Sequence, residues 1–203
     1  MPTLVLGTHN RKKGIELAEL VAPLGLTART LAEYPQAIEV IEDGDSFAAN
    51  ARLKAIQQAK HLQEWVLGED SGLCVAALGG APGIYSARYS GEDATDEANN
   101  AKLLAELGTT PLAKRGAYYV CYAVLSSPTG EIAFEVEGRC HGRILFEGRG
   151  TNGFGYDPLF EIVEYHRTFA EFGLRVKAAL SHRARAARRI IPQLMQLFDT
   201  QRI

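Results

Sequence analysis

The stretch TLVLGTHNRKKGIELAELVAPLG, residues 3–25, constrains the fold more than any other part of the chain. Its first six residues are a short apolar run that reads as a buried strand. They lead through His9, Asn10, Arg11, Lys12 and Lys13 into a helical pattern with Leu17, Leu20, Val21 and Leu24 on one face, and Gly25 stops it. A buried strand feeding directly into an amphipathic helix belongs to folds in which helices cover a sheet.

The rest of the chain repeats that alternation. Ser46 is a candidate N-cap for a second helix carrying Ala48, Ala51, Ala55 and Ala59 along one side, small residues that permit close packing. WVLGEDSGLCVAAL reads as a strand broken by a turn. GGAPGIYSARYSGEDATDE reads as a long loop ending near Thr95, where Asp96 and Glu97 suit a helix start and Leu103, Leu104 and Leu107 give that helix an apolar face. Residues 117–125 form a buried strand by content. Ile132, Phe134 and Val136 alternate with Glu131, Glu135 and Glu137 in a strand with one wet face. From His182, Ala184, Ala187, Ile191, Leu194 and Phe198 stand at helical spacing, with Pro192 expected to kink or divide the element. Interleaved strands and helices with at least one hairpin give an α/β class with a mixed sheet, and residues 1–203 read as a single domain.

Composition removes several classes of function. A hydrophobic content of 46% supports a buried core, and 22 basic against 24 acidic residues give a net charge of -2, so no broad cationic field exists to hold nucleic acid. Any anion site must be local. Cys74, Cys121 and Cys140 are odd in number and widely spaced, which suits reduced thiols rather than a disulfide framework or a zinc site. With no charged leader and no apolar run of bilayer length, the expectation is a soluble cytoplasmic protein without a membrane partner.

Three places can carry chemistry. GTHNRKK is a strand-to-helix turn whose lysines oppose the helix dipole, a penalty that a bound phosphate would reverse; a solvated helix end capped by Asn10 is the equal alternative. It lacks the glycine spacing of the common P-loop. SHRARAARR again crowds a helix start with basic groups, where His182 and Arg183 are candidate ligand contacts and Arg188 and Arg189 read as a solvated face. The third is a scatter of carboxylates, Glu42, Asp43 and Asp45, then Glu69 and Asp70. Asp70 reads as a strand-end residue of the sort that gathers ligands, and carboxylates converging there could hold Mg²⁺. GRGTNG fits a dinucleotide-binding pattern by letter, but FGYDP follows it, and Gly155 with Pro158 argues against the helix that pattern needs.

Together, Thr8, Asn10 and Lys13, then Glu42 followed by Phe47, Asn50 and Lys54, then DSGL, GGAPGIYSARYSG and GFGYDPLF, and finally Thr168, Ala170, Glu171, Lys177 and SHR, make the chain resemble the inosine/xanthosine triphosphate pyrophosphatases. The resemblance implies an elongated two-lobed α/β subunit with a central mixed sheet flanked by helices, an active-site cleft between the lobes, and a homodimer. It implies Mg²⁺-dependent cleavage of a purine nucleoside triphosphate between the α and β phosphates. Thr8, Asn10, Lys13 and Lys54 would hold the triphosphate, with His9, Arg11 and Lys12 in the same turn. Glu42 and Asp70 would organise the metal, and Asp70, Lys13 and Lys54 would carry the catalysis. Ser71 would help place the substrate, Phe154 would stack on the purine, Gly155, Tyr156 and Asp157 would shape the nucleoside pocket, and Lys177, His182 and Arg183 would face the base. Glu69 stands where the family commonly has aspartate, and His9 where it has a small residue. Two alternatives remain: the same hydrolysis acting on ordinary or pyrimidine triphosphates, and a nucleotide-binding regulator without turnover.

Overall fold

A computed structural model describes residues 3–199, without the side chains of residues 174, 175 and 199. The elements run β1 (Thr3–Gly7), α1 (Arg11–Val21), β2 (Thr27–Thr30), α2 (Phe47–Leu62), β3 (Trp65–Val75), α3 (Asp96–Leu107), β4 (Gly116–Ser126), β5 (Ile132–Ile144), β6 (Phe160–Ile162), β7 (Arg167–Thr168), α4 (Leu174–Leu180) and α5 (His182–Asp199). The strands make a seven-stranded sheet in the order β2-β1-β3-β4-β5-β6-β7. It is mixed: β1 runs parallel to β2 and β3, whereas β5–β6 and β6–β7 are antiparallel.

The chain divides into two compact units. The first comprises the chain up to Asp70, Cys121–Gly138 and the chain from Arg183 onward; the second comprises Ser71–Val120 and Arg139–His182. In the first, the period of two along β1 sorts its side chains. Leu4 and Leu6 join Leu17 and Val21 of α1 and Ile190, Leu194 and Phe198 of α5, while Val5 joins Leu31, Ala59 and Val66 in a separate cluster. Ala51 and Ala55 pack with Val124, so α2 comes close to β3. A β-carbon on Gly68 would lie 2.6 Å from the Ala55 nitrogen, which explains both the glycine and the alanine face. In the second unit, Leu73, Leu103, Leu107, Tyr119, Tyr156, Phe160 and Phe169 belong to one apolar core. Arg115 lies buried there with its guanidinium on the carbonyls of Thr110, Leu145 and Gly108.

Several expectations change. β3 is one continuous strand through Asp70, Ser71 and Gly72 rather than a strand broken by a turn. The long loop contains a six-residue 3-10 turn, Gly83–Arg88, held where the Ser86 hydroxyl donates to the carbonyl of Gly83 and accepts from the Leu73 N–H at 2.9 Å. α1 ends at Val21, and Leu24 closes a separate 3-10 turn before Gly25. Pro192 sits exposed inside α5 without dividing it, and Ile190 rather than Ile191 enters the core. The glutamate face of β5 is not simply wet: Glu135 accepts two hydrogen bonds from Arg52, at 2.6 and 2.7 Å, and one from the Tyr122 hydroxyl at 2.9 Å. No helix follows GRGTNG; the next element is β6.

Candidate active site

In the first unit, β1 ends at Gly7 in register with Gly68, so Glu69 and Asp70 continue β3 past the carboxyl end of its parallel neighbour. This places Asp70 within a strand, not at its end, yet still where open sheets collect ligands. The chain leaves β1 through Thr8, whose hydroxyl accepts from the Asn10 N–H at 3.1 Å. Asn10 caps α1, its side-chain oxygen accepting from the Lys13 N–H at 3.1 Å. No acidic residue stands in the first turn of α1, and His9, Arg11 and Lys12 are exposed there. Lys13 turns to Glu69, 3.0 Å away.

Two carboxylates with opposite electrostatic fates lie side by side on β3. Glu69 is enclosed and meets Lys13, the Arg183 guanidinium at 3.4 Å and the Cys121 thiol, which donates at 3.2 Å. Burial alone would raise its pKa, but Arg183 and Lys13, with Lys54 beyond them, outweigh burial and hold it well below the usual carboxylate range. Arg183 also meets Glu16 of α1 at 2.8 Å. The Cys121 thiol is pushed well up by burial and by Glu69 beside it.

Asp70 has less help. Lys54 of α2 is 3.1 Å from it and 2.8 Å from Glu42, so one ammonium serves two carboxylates. The Asn50 amide donates to Asp70 at 3.3 Å, and its oxygen accepts from the Gly44 N–H at 2.9 Å, tying the acidic turn to α2. Lys54 is pushed above its ordinary value because its two carboxylates overcome burial. Asp70 is raised, by burial first and also by Glu42. Glu69 and Glu16 are matched by Lys13 and Arg183, whereas Glu42 and Asp70 have Lys54 between them, and this is where the cluster is short of positive charge. Among the described residues no three or more His, Cys, Asp or Glu side chains converge as a metal-binding group. Two carboxylates with a charge deficit do suit Mg²⁺, which takes one or two from protein and fills its shell with water and phosphate oxygens.

In the second unit, Ser71 follows on β3, half-buried. The glycine-rich stretch answers to two demands. Phe160 and Tyr156 are core residues, Phe160 stacked on Phe169 at 5.3 Å and Tyr156 donating its hydroxyl to the Ser86 carbonyl at 2.8 Å. Phe154 stays half-buried. Asp157 accepts from the Phe154 N–H at 3.0 Å and pairs with Lys177 at 2.6 Å, and the Lys177 ammonium lies 4.4 Å from the centre of the Phe154 ring. Gly153 has φ +80, and a β-carbon there would strike the Asp157 carboxylate. His182 is buried and stacks on Tyr119 at 4.8 Å and 10°.

The structure thus gathers Lys13, Glu42, Lys54 and Asp70 in one unit and Phe154, Gly155, Tyr156, Asp157, Lys177 and His182 in the other. Arg183, assigned to the base above, lies in the first unit with its guanidinium on Glu16 and Glu69. Sequence reasoning missed Cys121, Glu16 and Tyr119: nothing local distinguishes a cysteine or tyrosine inside an apolar strand, or a glutamate on a helix. The three cysteines are buried and none is in a disulfide, and among the described residues no helix is long and apolar enough to cross a membrane.

A family model described as the Ham1 family matches residues 4–193. The chain is 55% identical to a dITP/XTP pyrophosphatase of Rhodopirellula baltica, the match covering 97% of this chain and 95% of that protein. It is 46% identical to the protein of the same name from Desulforamulus reducens, over 98% and 99%. Among solved structures, a HAM1 protein from Coxiella burnetii superposes with a TM-score of 0.88 at 35% identity, covering 97% of this chain and all of that one.

Proposed function

The chain belongs to the Ham1 family, and on that premise we propose that it hydrolyses deaminated purine nucleoside triphosphates, ITP, dITP and XTP, to the nucleoside monophosphate and pyrophosphate. The observation that carries this reading is the charge imbalance at Glu42, Lys54 and Asp70, beside a helix start equipped with Asn10 and Lys13.

Thr8, Asn10, Lys13 and Lys54, with His9, Arg11 and Lys12 at the mouth of the same turn, take the triphosphate. Backbone N–H groups at the start of α1 favour an anion, and the lysines disperse its charge. Glu42 and Asp70 would hold Mg²⁺, which would draw charge from the phosphate oxygens when bound with substrate. Asp70 accepts the proton of the attacking water; a carboxylate whose charge is disfavoured by burial is the better proton acceptor. Lys54 keeps Asp70 and Glu42 in place, and Glu69 does the same for Lys13. Arg183 remains with this cluster.

The base falls to the second unit. Phe154 offers its ring to the purine, with Ser71, Gly155, Tyr156 and Asp157 shaping the surround. Lys177 and His182 donate to the 6-keto oxygen of hypoxanthine or xanthine. The 6-amino group of adenine cannot accept such a bond, so ATP leaves donors unpaired. The reading includes a cytoplasmic homodimer with residues 1–203 acting as one domain.

The experiment is product identification with Mg²⁺ present, followed by initial rates for ITP, dITP, XTP, GTP, ATP and dTTP. Equal amounts of IMP and pyrophosphate from ITP are expected, with ITP, dITP and XTP fastest. IDP with orthophosphate, or no turnover of these three, overturns the proposal.

A further inference from the structure

Phe154 is held by more than its own loop. The N–H of the peptide before it is fixed by the Asp157 carboxylate at 3.0 Å. The next peptide, whose N–H belongs to Gly155, donates to the Asp96 carboxylate at 2.8 Å. The one after, whose carbonyl belongs to Gly155, accepts from the Asn100 amide at 3.0 Å. Three consecutive peptides are therefore gripped by side chains, and the backbone dihedrals of Phe154 are pinned from both sides. Asp96 and Asn100 are four apart on α3, so they face the same way and meet the same residue.

The grip has a cost in the free chain. The Asn100 oxygen is enclosed and has no hydrogen-bond partner. Turning the amide over would set its oxygen against the Gly155 carbonyl, so the donor must stay where it is. A buried acceptor left unmade is unfavourable, and its retention calls for a gain elsewhere.

We propose that Asp96 and Asn100 are positioning residues that set the direction of the Phe154 ring for purine stacking. They act through the Gly155 peptide groups and do not touch substrate. This rests on the base-recognition reading above.

The test measures KM and kcat for ITP with Mg²⁺, together with thermal stability, in the wild type and in Asp96→Ala, Asp96→Asn, Asn100→Ala and Phe154→Ala. Asp96→Ala and Asn100→Ala should each raise KM by roughly five- to tenfold, the weight of one hydrogen bond, with kcat within about twofold. Asp96→Asn removes the charge at the start of α3 but keeps an oxygen acceptor, so it should return KM to within about twofold of wild type. Wild-type KM in both alanine variants, beside a raised KM in Phe154→Ala, overturns the proposal and leaves base stacking standing. Unchanged KM in Phe154→Ala overturns both together. A fall in stability with KM and kcat shifting alike, unrescued by Asp96→Asn, makes the grip purely structural and also overturns it; Asn100→Ala supplies the same comparison if Asp96→Ala fails to fold.

Discussion

The cluster around Asp70 and the loop around Phe154 are both polar arrangements in a mostly apolar interior, yet they are organised in opposite ways. At Asp70, charges outnumber their partners: one lysine stands between two carboxylates, and the aspartate's charge is disfavoured. At Phe154 the charges are paired, Asp157 with Lys177, and the loop backbone is tied to α3, with the Asn100 oxygen left without a hydrogen bond as the exception. The first region is short of positive charge, as the proposed binding of a metal with the triphosphate requires, and the polar groups of the second hold one ring. On the function proposed above, chemistry falls to the region short of positive charge and recognition to the region whose charges are paired.

That contrast can be broken most severely at Asp70. Asp70→Asn should lower kcat for ITP by about 10³-fold, within the range for loss of a proton acceptor, while leaving the melting temperature at pH 7 unchanged or higher, because a disfavoured charge is removed. Loss of stability together with activity would mean that the aspartate is chiefly structural. In the second region the signs reverse: Lys177→Met strands the buried Asp157 carboxylate and should cost about 3 kcal/mol or more in chemical denaturation. Within the glycine-rich stretch, Phe160→Ala should destabilise by about 3–5 kcal/mol, whereas half-buried Phe154→Ala should cost well under half of that. Equal losses would make Phe154 a core residue.

The smallest effect calibrates the comparison at the partly exposed Arg52–Glu135 pair. Hydrogen bonding from Arg52 holds the Glu135 carboxyl below its ordinary value. Its stabilisation is therefore complete above the unfolded glutamate value of about 4.3 and is lost as pH falls through the lower folded-state value. Glu135→Gln should cost less than about 1 kcal/mol at pH 7, and the difference from wild type should vanish in strong acid and shrink with added salt.

What could be read from the amino acids follows the range of each interaction. The Ser46 cap, the alanine face of α2 and the Asn10 cap are local and were legible. The unbroken course of β3 was not, because Ser71 and Gly72 look like a turn until sheet pairing overrides them. The candidate charged residues were visible as types, and their resemblance to a known family ordered them. Their pairings were not visible: Lys54 reaches back twelve residues and forward sixteen, and Arg183 meets Glu16 from 167 residues away. The fate of Glu69 depends on such distant partners, whereas its neighbour Asp70 looks almost identical in the sequence.

The division of labour is tested most directly by the KM for ITP and the inhibition constant of inorganic tripolyphosphate against it, measured side by side from initial rates in Mg²⁺ buffer for wild type and Phe154→Ala. The variant should bind tripolyphosphate as the wild type does and ITP about tenfold more weakly, as loss of a base-stacking ring requires. Equal weakening toward both ligands, or none toward ITP, would contradict the assignment of phosphates to one region and base to the other.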